Sequence, residues 1–226
     1  MARFTPRMVL FDLDGTLIDS VPDLLVAVNA MQDELGLPHR SEASVRNWVG
    51  NGIERLVERA LTDDLHGKPE AALFERAMPV FKRHYAESNG KHSCVFPGVH
   101  EGIAYVKSLG LSVGCVTNKA AAFTLPLLQD MNLLDQFETV IAGDTLPMKK
   151  PDPAPLIYAA GWFKVHPSEA LMIGDSISDV KAARTAGFSI ICMSYGYNHG
   201  EDIRNYHPDA VIDSMAEFPN LIGRAS

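Results

Sequence analysis

Short apolar runs alternating with helical stripes limit the fold of this sequence more than any other feature. The runs 8–11, 111–116, 139–142, 170–173 and 189–193 read as buried strands, being brief, apolar and rich in branched side chains. Helical patterns at 99–109, 120–131, 153–163 and 177–186 lie between them. This alternation predicts an α/β fold, a doubly wound Rossmann-like parallel sheet with helices on both faces. Gly110, Gly161 and Gly187 are expected to cap three of the helices in the left-handed conformation.

One stretch breaks the rhythm. Val21, Leu24, Leu25, Val28, Met31 and Leu35 share a helical face that stops at Gly36. Ile53, Leu56, Val57 and Ala60 form a second stripe, and Leu73, Ala77, Val80, Phe81, His84 and Tyr85 a third. Pro79 is expected to kink or split the third helix. The chain thus divides into an α/β core of residues 1–19 and 91–226 and an all-helical insertion at 20–90, with turn formers from Glu87 to Pro97 at its exit.

Composition acts by exclusion. The 226 residues carry 28 acidic against 20 basic side chains, a net charge of −8 that argues against a nucleic-acid partner. No apolar run is long enough for a membrane span, and none reads as an export signal. Cys94, Cys115 and Cys192 are scattered without metal or disulfide spacing, so a cytoplasmic location is expected. Monomer and homodimer both remain open. An anionic substrate would need a local cation to overcome the global charge.

Four polar groups fall at the carboxyl ends of expected strands, where open α/β sheets place their ligands. The first strand runs into Asp12-Leu13-Asp14-Gly15-Thr16. Aspartates at i and i+2 of an extended segment aim both carboxylates one way, and that crowding needs a shared cation or a proton. Gly15 lets the backbone turn and approach an anion, and Thr16 offers a hydroxyl and an N–H to phosphate oxygens. Thr117-Asn118 suits a phosphate cradle, although Thr117 alone reads as a plain helix N-cap. In Lys149-Lys150-Pro151-Asp152-Pro153 two prolines stiffen a loop able to hold a lysine inward, Lys150 ahead of Lys149. Asp175 and Asp179 follow Gly174 at a helix start, where they read either as caps or as oxygen ligands for a hard cation.

In this order the four motifs resemble those of the haloacid dehalogenase superfamily of phosphotransferases, and the resemblance spans the chain. It implies a phosphate monoester hydrolase in which Asp12 attacks phosphorus and Asp14 serves as general acid and base. It also implies Mg²⁺ held by Asp12, the Asp14 carbonyl and Asp175, with Asp179 in support, while Thr117, Lys150 and N–H groups near Thr16 and Asn118 hold the phosphoryl oxygens. An acid at Asp14 points to a phosphatase or phosphomutase instead of a dehalogenase. The helical insertion resembles the mobile cap of the smaller members. Val49-Gly-Asn-Gly52, the segment 144–153 and Tyr195-Gly-Tyr-Asn-His-Gly-Glu201 further resemble the bacterial phosphoglycolate phosphatases. That likeness implies 2-phosphoglycolate as substrate, with Gly50, Asn51 and Gly52 presenting N–H groups to its carboxylate. Arg46 and Arg55 could assist. The motifs leave open a phosphatase for sugar phosphates or pyrophosphate, a sugar phosphomutase, and a non-catalytic phosphate-binding regulator.

Overall fold

Every residue of strand β1 (Met8–Phe11) is buried, as its unbroken apolar run requires when both faces of a sheet are covered. The computed structural model describes residues 3–224. After β1 come β2 (Ile18–Asp19) and the helices α1 (Val21–Leu35), α2 (Glu42–Trp48), α3 (Ile53–Thr62) and α4 (Ala71–Ser88). The chain continues through β3 (Cys94–Val95), α5 (Val99–Ser108), β4 (Ser112–Val116), α6 (Ala121–Asp130) and β5 (Thr139–Ile141). It ends with α7 (Ala154–Phe163), β6 (Ala170–Gly174), α8 (Ile177–Ala186), β7 (Ser189–Met193), β8 (Ala210–Ile212) and α9 (Phe218–Leu221).

Six strands form a parallel sheet in the order β5-β4-β1-β6-β7-β8. The chain winds outward from β1 to one edge and then returns to build the other side. The order therefore reverses beside β1, which opens a crevice at its carboxyl end. Val9 and Phe11 pack on one face with Ile103 of α5 and Leu127 of α6. Met8 and Leu10 face the other way, against Leu156 of α7 and Val180 of α8. The period of two in β1 thus serves two separate apolar layers.

The helices α1–α4 have their own core, in which Leu24, Val28, Met31, Trp48, Leu56, Phe81 and Tyr85 meet. Phe123 of α6 and Tyr197 join the same cluster and bind it to the sheet side. Both connections to these helices pair as a short antiparallel ribbon, Ile18 with Val95 and Asp19 with Cys94. Beside it the wholly buried Asp23 carboxylate accepts N–H bonds from Gly90 and His92, each at 2.7 Å, and from Ser93 at 3.2 Å.

Two local expectations are corrected. Pro79 does not split α4, which runs unbroken from Ala71 to Ser88. Pro79 and Glu75 are both exposed, so the carbonyl deprived of its bond is met by water. Gly161 lies inside α7, and Lys164, at φ 56°, takes the left-handed cap. Gly110 and Gly187 adopt positive φ after α5 and α8 as expected. Cys115 and Cys192 are buried in the core, and no helix among the described residues is long and apolar enough to cross a membrane.

Candidate active site

The carboxyl ends of β1 and β4 open on one small cavity, and the end of β6 with the loops after β5 and β7 packs against Asp12 and Gly15 beside it. The Asp12 carboxylate accepts the Leu13 N–H at 2.7 Å and the Lys150 ammonium at 2.9 Å, both on Oδ1. Among the described residues nothing donates to its Oδ2. Lys150 is the inward lysine, its side chain 1% exposed, and it also binds Asp179 Oδ1 at 2.7 Å. Lys149 points out toward Glu54, 3.8 Å away.

Asp14 faces a different partner. Its Oδ1 accepts the Ser20 hydroxyl at 2.5 Å and the Lys119 ammonium at 2.9 Å. Asp175 is fixed from two sides, by the Thr16 hydroxyl at 2.5 Å and the Tyr197 N–H at 2.6 Å. Thr16 therefore turns its hydroxyl to Asp175. Asp179 closes a capping box at the start of α8, accepting from the Ser176 N–H at 3.1 Å and hydroxyl at 2.7 Å. Asp179 is thus a helix cap and also a member of an acidic cluster.

Asp12, Asp175 and Asp179 each bring a carboxylate oxygen within 4.8 Å of the others, a hard-oxygen donor set that fits a divalent cation. Close packing supports the arrangement: a Cβ on Gly196 would lie 2.1 Å from the Asp175 Cβ. Burial pushes the Asp12 carboxyl up to about 7, with Lys150 opposing and Asp179 reinforcing the shift. Burial, with Asp179 and Asp12 adding to it, also drives Asp175 well above the usual carboxylate range. For Lys150 burial pulls downward, but the Asp12 and Asp179 carboxylates outweigh it and the net shift is upward.

These shifts set a pH dependence for the metal-free protein. The native state keeps on Asp12 a proton that an unfolded chain, with the ordinary value of 3.8, releases. Native protein binds more protons than unfolded protein between the two values, so stability falls as pH rises through about 7. The thermal midpoint of chelator-treated protein is expected to drop from about pH 5 to about pH 8. A midpoint that climbs over that range would contradict the arrangement.

The remaining expected residues divide. Thr117 and Asn118 line the cavity with Asp12, Asp14 and Lys119. Thr117 does not cap a helix, since α6 begins after Ala120, and its hydroxyl accepts the Lys119 N–H at 3.2 Å. The Asn118 amide donates to the Lys150 carbonyl at 2.8 Å and the Gly50 carbonyl at 3.1 Å, which joins the lysine loop to the helical insertion. Gly15 turns at φ 86° directly against Asp175, where a Cβ would stand 2.3 Å from its Oδ2. Gly50 and Gly52 reach the cavity beside Leu24, Val49, Ile53 and Leu56. The Asn51 side chain accepts instead from the Arg59 guanidinium at 2.8 Å. Arg46 is paired with Asp19 and Glu42, and Arg55 with Glu58, away from the cavity lining. Sequence reasoning assigned no role to Lys119, Ser20 or Tyr197. Lys119 carried one usable signal, its place just past a strand end, where a buried ammonium demands a carboxylate.

A doubly wound sheet with acids from two strand ends, an inward lysine and a hydroxyl after a third strand defines a class of α/β hydrolases that act on anions. The chain belongs to the haloacid dehalogenase-like hydrolase family, whose model matches residues 9–193. It is 58% identical to a phosphoglycolate phosphatase of Nitrosococcus oceani over 98% of both chains. A phosphoglycolate phosphatase of Nitrosospira multiformis is 45% identical over 97% of each. Among solved structures, a predicted phosphoglycolate phosphatase from Haemophilus somnus superposes with a TM-score of 0.89 at 33% identity, over 97% of this chain and 98% of that one.

Proposed function

We propose that the protein hydrolyses 2-phosphoglycolate to glycolate and phosphate through an aspartyl-phosphate. One observation carries this reading: a buried aspartate, Asp12, whose Oδ1 is pinned by Lys150 and Leu13 while its Oδ2 is left without a donor, in a cavity shared with Asp14 and Thr117. Asp12 attacks phosphorus with Oδ2, and the ester oxygen leaves with a proton from Asp14. In the second step Asp14, now a carboxylate, takes a proton from the water that cleaves the acyl phosphate. Lys150 and the Thr117 hydroxyl hold the phosphoryl oxygens as charge moves to them.

Asp12, Asp175 and Asp179, together with the Asp14 carbonyl, would hold Mg²⁺, which supplies positive charge to offset carboxylate–phosphate repulsion. The helical insertion, residues 20–90, acts as a cap over the core of residues 1–19 and 91–226. The small cavity under it suits a small substrate. Homology over nearly the whole chain to proteins named for phosphoglycolate supports the substrate. The absence of a candidate membrane span among the described helices is compatible with the expected cytoplasmic location.

The test is a steady-state panel of 2-phosphoglycolate, ethyl phosphate, sugar phosphates, pyrophosphate and nucleotides, with and without Mg²⁺. The expected kcat/KM for 2-phosphoglycolate exceeds each of the others by at least about tenfold, and chelation removes the activity. Isomerisation of a sugar bisphosphate without phosphate release would replace this reading with a mutase.

A further inference from the structure

Phosphate has an evident seat near Asp12, but a second negative group on the substrate needs its own cation. The helical insertion supplies only Leu24, Val49, Gly50, Gly52, Ile53 and Leu56 to the cavity wall, none of them charged. Arg46 and Arg55 are engaged by Asp19, Glu42 and Glu58, and Lys150 is held between Asp12 and Asp179. The cation on the lining itself is Lys119, with a side chain 3% exposed.

Lys119 has unused hydrogen-bonding capacity. Its ammonium has three donors, yet among the described residues its only recorded acceptor is Asp14 Oδ1 at 2.9 Å. Asp14 is also held by the Ser20 hydroxyl, so Lys119 is not its sole support. The ammonium lies 5.0 Å from the centroid of the Tyr85 ring, and the wholly buried Tyr85 hydroxyl has no hydrogen-bond partner. Lys119 thus presents spare donors at the edge of a small, largely apolar cavity, with the buried Tyr85 packed behind it. Buried donors of this kind call for an anionic oxygen.

We infer that the Lys119 ammonium, positioned by the buried Tyr85 behind it, receives the substrate's carboxylate and so selects phosphate esters that carry one. This rests on the phosphoglycolate reading and adds the residues that recognise the acid end. A carboxylate here gains a charge-assisted bond in a site shielded from water, whereas an uncharged ethyl group leaves the spare ammonium donors unpaired.

The experiment compares kcat/KM for 2-phosphoglycolate and ethyl phosphate in wild type, Lys119→Met, Lys119→Arg and Tyr85→Phe, with folding checked by circular dichroism. Lys119→Met is expected to cut the wild-type preference for the carboxylate substrate about 100-fold, chiefly through KM. Tyr85→Phe should cut it about fivefold, and Lys119→Arg should restore part of it. If Lys119→Met does not fold, the Tyr85→Phe ratio and wild-type inhibition by 3-phosphonopropionate against propylphosphonate decide. A wild type indifferent to the carboxylate overturns the phosphoglycolate reading and this inference with it. A selective wild type whose preference survives in the variants overturns this inference alone.

Discussion

Asp12→Asn is expected to lose turnover by about 10⁴-fold or more while the metal-free protein at about pH 8 stays at least as stable as wild type. Asparagine keeps the shape of the side chain and an oxygen for the Leu13 N–H and the Lys150 ammonium. It removes the proposed nucleophile, because a neutral amide does not displace an alkoxide from phosphorus. The stability half follows from the same site. Burial pushes the Asp12 carboxyl up to about 7, so its charged form is disfavoured in the native state, and a neutral isostere relieves that cost. Phosphate release, trapping of the phosphoenzyme and thermal midpoints read out the two halves. Turnover within tenfold of wild type would remove Asp12 from the role of nucleophile.

Lys150→Met should have the opposite balance, costing both activity and structure. The ammonium lies between Asp12 and Asp179 with essentially no solvent to replace it. Removing one partner of a buried ion pair strands the other, which typically costs about 3–5 kcal/mol. Here two carboxylates are stranded, with Asp175 close by. Urea unfolding of chelator-treated protein at about pH 8 is expected to show a loss of that size, shrinking toward about pH 5 as Asp12 takes up a proton. Added Mg²⁺ should recover much of the loss through the same acids. A loss below about 1 kcal/mol at pH 8 would mean that the acids are neutralised by some other route.

The sheet was legible because its strands announce themselves. The runs 8–11, 170–173 and 189–193 are apolar on both faces, and the ends of the first two carry the acids, so strand and site were read together there. The β2–β3 ribbon escaped because two residues are too few to establish a period, and the three-residue β8 was not read either. The acidic cluster could be anticipated from spacing, but the partition of its lysines could not. Lys149 and Lys150 are adjacent in sequence, and only the loop's packing decides which is buried. Gly50, Asn51 and Gly52 read as a source of backbone N–H groups for the substrate's carboxylate, and the sequence left the Asn51 side chain without a partner. That side chain is claimed by Arg59, eight positions further on, a pairing that depends on how α3 packs. Lys119 and Asp14 meet at 2.9 Å across 105 residues, a distance in sequence that no local pattern spans.

The paired connections, Ile18 with Val95 and Asp19 with Cys94, have a mechanical consequence. Two independent tethers would leave the four helices free to slide, tilt and twist. A two-stranded ribbon resists stretch and shear in its plane and bends easily only across it, so under the proposed cap movement it would serve as a single hinge with one soft axis. The Asp23 carboxylate, clamped on the N–H groups of Gly90 and His92, stiffens the plate just beyond that axis. Asp19, on the ribbon itself, holds Arg46 of α2 and acts as a catch close to the pivot. If the four helices act as the proposed cap, a swing about one axis would bring Gly50, Gly52 and Ile53 back to the same place over Asp12 at each closure, with the rim of the site in register.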